Sequence, residues 1–293
     1  MSFSKSKVIT HRGLEPSNPS FKYPESSYEA FKDQLSRGFG GLEFDPNFAS
    51  DGIVVSHDAT LKRITNGGDE RDFSEVSVEE LTKLTYGSDG KSGRIPTFDE
   101  VINLIKNSGS NINAMHLKGK NQSTEKLDKL LEALKKYEDI LDKFIIFDVK
   151  PETARYLKSK MPGLHLAPSV AHSYDIKRYN EAVLGTLISV EEALKYIKEG
   201  LYDSVWLDEW DLADENQKTK TLYNEEVFNK FKEVGAKIYL VTPELHGTSP
   251  GLLGGEAHQD ASSKEKLFSR IKEIINLEPD GICTDYPEEV LEL

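Results

Sequence analysis

Eight short runs of β-branched and aromatic residues, each followed by an amphipathic stretch, limit what this chain can fold into. The runs are Lys7–Thr10, Gly41–Asp45, Ile112–Leu117, Phe144–Val149, Leu164–Val170, Ser204–Asp208, Lys237–Thr242 and Gly281–Thr284. FIIFDV and KIYLVT are apolar at successive positions, so both faces of such a strand need cover. Helical periodicity lies between the runs: Ser27–Arg37, Thr97–Lys106, Ser123–Tyr137, Pro151–Lys160, Ile176–Asn180 with Val190–Lys198, Glu225–Val234, and Ser263–Ile275. Eight strand–helix repeats predict an α/β fold of the (β/α)8 TIM-barrel type. The alternative is a doubly wound open sheet. It normally shows a Gly-rich phosphate loop after the first strand, and HRGLEPSNP is not one. The 293 residues fit a single barrel domain over 1–293.

One segment breaks the rhythm. Residues 46–96 hold a short β-run (Ile53–Ser56), several turn signals and one helical piece (Val78–Leu84). An insertion of this length between strand two and helix two predicts a functional βα loop. Composition narrows the partners. Fifty acidic residues against 37 basic ones give a net charge of −13, a poor electrostatic footprint for nucleic acid. No run approaches the ~18 apolar residues of a membrane span. MSFSKSKVIT has no apolar stretch of the secretory kind, so the expectation is a cytoplasmic protein without stable membrane insertion. Cys283 is the sole cysteine, which excludes an internal disulfide and a CxxC metal site; it reads as a small buried strand residue.

In a barrel, active-site groups stand at the C-terminal ends of strands. Those ends read His11-Arg12, Glu43 and Asp45, His116 and Lys118, Asp148, His172, Asp208-Glu209, Thr242 with Glu244, and Thr284-Asp285. Glu43 and Asp45 are two apart on a strand and share a face. Two carboxylates against the helix layer would be very costly, so they belong at the mouth of the lumen. An isolated ExD reads first as a salt-bridged pair at a strand end; its polar neighbours here reverse this in favour of a hard divalent cation such as Mg²⁺ or Ca²⁺. His11 can exchange a proton near neutral pH, and Arg12 offers a planar fork for phosphate oxygens. His57-Asp58 ends the β-run of the insertion; Asp58 either holds an imidazole tautomer or caps the turn. Lys118 shares a face with His116, which adds one metal ligand and one phosphate cation, unless Lys118 is a solvated residue of the KGKNQ turn.

These residues fall within a longer pattern: HRG (11–13), PES…AF (24–31), G-x-E-x-D (41–45), DGIVVSHDATLKRITNG (51–67), SVEELTKL, IPTFDEVI and, at the end, PDGICTDYP (279–287). In this order and over nearly the whole chain, they resemble the glycerophosphodiester phosphodiesterase family. The resemblance implies a (β/α)8 barrel and metal-dependent hydrolysis of a small phosphodiester to an alcohol and a phosphomonoester such as glycerol 3-phosphate. Carried onto this sequence, it implies that His11 and His57 are general acid and base. Arg12 and Lys118 would contact the phosphate, with Glu43 and Asp45 as metal ligands.

Three departures stand out. The family's E-x-K on strand three reads HLK here, so His116 takes the place of a carboxylate. A Glu/Asp/His set carries less negative charge and tilts the preference toward Mn²⁺ or Zn²⁺. Second, Pro24-Glu25-Ser26-Ser27 follows a long Pro-containing loop. Third, the strand-seven end is VTPELHG and opens a Gly-rich loop, HGTSPGLLGGEAHQD, with His246 and His258. On the alcohol side, Asp208, Glu209, Trp206 and Trp210 are candidates to hold a sugar or polyol, or else are core and solvated residues. His172 is a candidate substrate contact, and His165 reads as packing within LHLAPS. Two other readings remain: a cyclising phospholipase-like lyase, which needs an apolar loop of which only Leu252-Leu253 is visible, and a non-catalytic phosphate-ligand binding protein.

Overall fold

The computed structural model describes residues 3–88, 90–183, 185–209, 221–243 and 263–293. Its eight-stranded parallel sheet comprises β1 (Val8–His11), β2 (Gly41–Phe44), β3 (Asn113–His116), β4 (Phe144–Phe147), β5 (Ser169–Val170), β6 (Ser204–Leu207), β7 (Lys237–Val241) and β8 (Gly281–Thr284). Their order across the sheet is β4-β3-β2-β1-β8-β7-β6-β5. The two ends approach through one parallel bridge, Ile146–Leu166, where the Ala167 N–H donates to the Ile146 carbonyl at 2.9 Å. The sheet is therefore a nearly closed barrel, the α/β architecture expected from the strand–helix alternation.

The fifth strand is shorter than Leu164–Val170. Pro168 lies in its middle and has no N–H for the ladder, so regular pairing starts only at Ser169. The outer helices are α1 (Tyr28–Ser36), α2 (Phe98–Lys106), α3 (Thr124–Leu134), α4 (Pro151–Lys160), α5 (Ser173–Val183), α6 (Val190–Lys198), α7 (Glu225–Glu233), α8 (Lys264–Asn276) and α9 (Pro287–Glu292). Helix α5 extends beyond the expected Ile176–Asn180 at both ends. Several starts are fixed by side-chain caps. Ser27 accepts from the Ala30 N–H, and Thr97 and Ser189 each form a capping box with the glutamate three residues on. Among the described residues, no helix is long and apolar enough to cross a membrane.

Strand alternation separates two cores. Leu42, Phe44, Met115, Phe144 and Ile146 face the helices in one large cluster. Ile9, Ala114, Ile145, Phe147, Ala167, Trp206, Tyr239 and Cys283 pack together inside the barrel. Cys283 is fully buried there, as its position within a strand suggested. Gly281 leaves room for this inner layer, because a Cβ on it would lie 2.8 Å from the Tyr239 ring. Since Ile9, Ala114 and Ile145 point inward, period two also turns His11, His116 and Phe147 inward one step closer to the C-terminal mouth.

Between β2 and α2 the chain forms a layer of its own. An antiparallel hairpin pairs Pro46–Phe48 with Ile53–Val55, a short helix covers Val78–Thr82, and Thr85–Tyr86 pairs with Gly93–Arg94. Val54, Leu61, Phe73, Leu81 and Ile95 give it a small core. The run at Ile53 and the helix at Val78 were legible in the sequence, whereas the partner strand Pro46–Phe48 was not.

Candidate active site

The site begins at the HRG turn. Arg12 and Gly13 both adopt left-handed backbone, at φ +51° and +71°. A Cβ at position 13 would come within 3.0 Å of Phe31, so glycine meets both the conformational and the steric demand. The turn swings Arg12 off β1 while His11 keeps its strand direction. Register places His11 beside Glu43, and Glu43 beside Ala114. The His11 Nε2 stands 3.9 Å from Glu43 Oε2, and the Arg12 N–H donates to the same oxygen at 3.3 Å.

The hairpin after β2 returns His57 to this mouth. Its turn contains Asp51-Gly52, a favoured reversal pair, and the Ser56 N–H donates to the Asp45 carbonyl at 3.1 Å. Asn47 donates to the Asp58 carbonyl, which holds the His57-Asp58 corner. Lys118, beyond β3, reaches over the same point. Its Nζ donates to the His57 carbonyl and stands 3.1 Å from Asp45 Oδ1.

Glu43, Asp45 and His116 form the innermost cluster, with one ligand-type atom from each lying within 4.8 Å of the others. His116 Nδ1 is 3.0 Å from Asp45 Oδ1 and 3.9 Å from Glu43 Oε1. Asp45 is 1% exposed; its Oδ1 is ion-paired with Lys118 and His116, while its Oδ2 has no hydrogen-bond partner. A buried carboxylate oxygen without a partner is costly, and an acceptor of this kind suits a cation ligand. The donor set of two carboxylates and one imidazole fits a divalent ion.

Electrostatics divides the site into roles. Burial raises the Glu43 carboxyl, and the neighbouring Asp45 charge adds to this. Burial opposes ionisation of Asp45 as well, but Lys118 and His116 outweigh it and hold that group well below the usual carboxylate range. Burial and the Arg12 and Lys118 charges push His57 down to about 4, so its imidazole is neutral and able to accept a proton near neutral pH. Its Nδ1 is paired with Asp58 Oδ1 at 3.1 Å, and Asp58 is in turn held by Arg63 Nε at 2.6 Å. The tautomer-holding alternative for Asp58 therefore fits the observed contacts. His116 behaves oppositely. Burial disfavours its charge, but Asp148 and Asp45 overcome this and raise it to about 9.

His11, Arg12, Glu43, Asp45, His57, His116 and Lys118 are thus brought to one mouth. Asp208 lies near Asp148 and His116, and burial with the Asp148 charge raises its carboxyl to about 7. Glu209 does not converge with them. It is 8% exposed, its Oε2 accepts the Leu222 and Tyr223 N–H groups, and its Oε1 accepts from Arg270. These contacts anchor the returning chain rather than leaving the carboxylate for a ligand. His172 accepts the Tyr174 N–H on Nδ1 at 3.2 Å, at the start of α5. His165 is not core packing: it is part-exposed and pairs with Asp203 at 2.7 Å. Trp206 is buried against Phe147 inside the barrel. Trp210, Glu244, His246, His258 and Leu252-Leu253 lie outside the described residues.

Two contacts were not foreseen. Asp285, at the end of β8, holds His11 Nδ1 at 2.7 Å. Its signal was its strand-end position, but only barrel closure puts β8 beside β1. Glu25, buried in the PES segment, stands 3.4 Å from Arg12 and also pairs with Arg63. A lone glutamate in a loop gives no sign of two distant arginines.

Comparison with known proteins points the same way. Residues 11–289 match the family model described as the glycerophosphoryl diester phosphodiesterase family. A glycerophosphodiester phosphodiesterase of Caldanaerobacter subterraneus is 33% identical over 165 residues, covering 55% of this chain and 65% of that protein. The match to the Bacillus altitudinis glycerophosphodiester phosphodiesterase, 26% identical, also spans 65% of the relative. Among solved structures, a glycerophosphoryl diester phosphodiesterase from Parabacteroides distasonis superposes with a TM-score of 0.65 at 20% identity, over 99% of this chain and 87% of that one. An Oleispira antarctica phosphodiesterase, solved in complex with the product sn-glycerol-3-phosphate, gives 0.62 at 18% identity, over 98% and 95%.

Proposed function

Because the chain belongs to the glycerophosphoryl diester phosphodiesterase family, we propose that it hydrolyses a glycerophosphodiester or related small phosphodiester to an alcohol and a phosphomonoester. The observation that carries this reading is the Glu43–Asp45–His116 cluster at the mouth that also holds Lys118, His11, Arg12 and His57. The phosphodiesterase activity named for the relatives supports it, as does the product-bound structure of the Oleispira protein.

The residues divide the work. Arg12 and Lys118 bind the nonbridging phosphoryl oxygens and stabilise the charge that builds on them. His57, neutral near pH 7, takes the proton of the nucleophile. His11, held through Nδ1 by Asp285, gives a proton from Nε2 to the leaving alkoxide. Glu43, Asp45 and His116 would hold a divalent ion, which would supply Lewis-acid polarisation of the phosphoryl group. The two carboxylates favour Mg²⁺ or Ca²⁺, and the imidazole widens the choice to Mn²⁺ or Zn²⁺. Asp208, near Asp148 and His116, would be placed to hydrogen-bond a hydroxyl of the alcohol portion of the substrate.

The test is release of phosphomonoester by purified protein from a panel of glycerophosphodiesters and sugar phosphodiesters, with each of these four ions in turn. Turnover of at least one substrate, dependent on an added ion, is the expected result. No turnover across the panel, with phosphate compounds still raising the melting temperature, would replace hydrolysis by binding.

A further inference from the structure

His116 is held on its face and at both nitrogens. Its ring lies on Phe147 with centroids 4.6 Å apart and planes within 13°. Phe147 stacks in turn on Trp206 at 3.9 Å. Stacking fixes the plane of an imidazole but not its rotation within that plane. Rotation is set at the nitrogens. Nδ1 faces Asp45 and Glu43, and Nε2 stands 3.4 Å from Asp148 Oδ2. A histidine that ligates a cation through one nitrogen carries its proton on the other, and a carboxylate at that second nitrogen selects the tautomer.

Asp148 is itself held in place. The Thr186 hydroxyl donates to its Oδ1, and the Gln122 amide donates to its carbonyl at 2.6 Å. Its backbone lies at φ +63°, a region that non-glycine residues seldom enter. An uncommon conformation held by surrounding contacts, at the edge of a polar cluster, points to a functional constraint.

We propose that Asp148 is a positioning residue: its carboxylate holds the Nε2–H of His116, so that, when a divalent cation displaces the Nδ1 proton to solvent, Nδ1 is aimed with Glu43 and Asp45 at the ion and completes a three-residue site. The proposal rests on the metal reading of this cluster given above. It goes beyond that reading by coupling β4 to the ligand on β3, so that the imidazole acts as a ligand only together with its aspartate.

Two substitutions suit the left-handed backbone and avoid strain at that position. Asp148→Asn keeps an oxygen acceptor for Nε2–H, and Asp148→Gly removes it. Metal-stripped proteins are titrated calorimetrically with Mn²⁺, and nitrogen modulation of the Mn²⁺ electron spin echo reads imidazole bound directly to the ion. Melting curves report whether each variant is folded. Wild type should bind Mn²⁺ with nitrogen coupling. Asp148→Asn should keep the coupling with near-native affinity, whereas Asp148→Gly should bind ~10–100-fold more weakly and lose it. Thr186→Val, which leaves the carboxylate but frees it, should fall between the two. Native affinity and intact coupling in Asp148→Gly, or Mn²⁺ bound by wild type without nitrogen coupling, would overturn the role of Asp148 or of His116 and leave the carboxylate site standing. Absence of any Mn²⁺ binding by wild type would overturn the metal reading and this proposal together.

Discussion

Replacing His57 with alanine should lower kcat/KM by ~10²–10⁴-fold while leaving the fold intact. At 1.36 kcal/mol per decade this is about 3–5 kcal/mol of transition-state stabilisation. The size follows from the single role the site gives this side chain. His57 is half-buried at the end of a hairpin, outside both barrel cores, so truncation creates no core cavity. Its imidazole is lowered to about 4 from an ordinary 6.5, first by burial and then by the Arg12 and Lys118 charges. A base with that pKa is unprotonated throughout the neutral range. Loss of rate through His57 should therefore begin only as the pH falls toward that value, and not near the ordinary histidine midpoint. His11→Ala should cost a similar factor, because it removes the proton for the leaving group. The double variant should fall short of the product of the two factors, since both transfers belong to one displacement. Steady-state rates against pH for the three variants, with circular dichroism as the control, check this; a His57→Ala enzyme with native kcat/KM would remove the general base from the mechanism.

Asp45→Asn should have the larger effect, through loss of the cation. The exchange keeps the shape of the side chain and removes the charge at the centre of the cluster. Asp45 is 1% exposed and stands 3.0 Å from His116 Nδ1 and 3.1 Å from Lys118 Nζ. Without it, the ion loses a charged ligand and the Lys118 ammonium beside the site is left without its counter-charge. Outer partners of metal ligands cost ~10–100-fold in affinity when removed, so loss of a ligand itself should exceed that range. Calorimetry should show no Mn²⁺ or Mg²⁺ uptake by Asp45→Asn at concentrations that saturate wild type, and turnover should fall with it. Chelation of the wild-type protein should also stop turnover, and restoring the ion should recover it. Undiminished metal affinity in Asp45→Asn would show that the ion, if bound, lies elsewhere.

The barrel was legible because its signals are local. FIIFDV and KIYLVT are apolar on both faces, and each is followed by an amphipathic helix. The fifth strand read too long because apolar content hides what Pro168 does to a hydrogen-bond ladder. The innermost site was legible for the same reason as the fold. A spacing of two puts Glu43 with Asp45, and His116 with Lys118, on common faces, and the structure places all four at one mouth.

What the sequence did not show depends on closure and return of the chain. Asp285 lies 274 positions from His11 and meets it because β8 pairs with β1. Glu209 looked like a sugar contact beside two tryptophans, but its carboxylate is taken up by Leu222, Tyr223 and Arg270. Spacing shows which residues share a face, not which distant backbone amides arrive there. Asp148 illustrates the same limit. Its place at a strand end was visible, but its contact with His116 depends on the ring orientation set by Phe147 and on a left-handed backbone.

Anomalous diffraction from crystals grown with Mn²⁺ and glycerol 3-phosphate tests the convergence of these groups most directly. One metal peak should appear, ligated by Glu43, Asp45 and the Nδ1 of His116. The phosphate should touch Arg12 and Lys118, with the His11 and His57 rings on opposite sides of phosphorus. A peak away from this cluster, or a phosphate out of reach of both imidazoles, would contradict the assignment of this mouth as a phosphodiesterase centre.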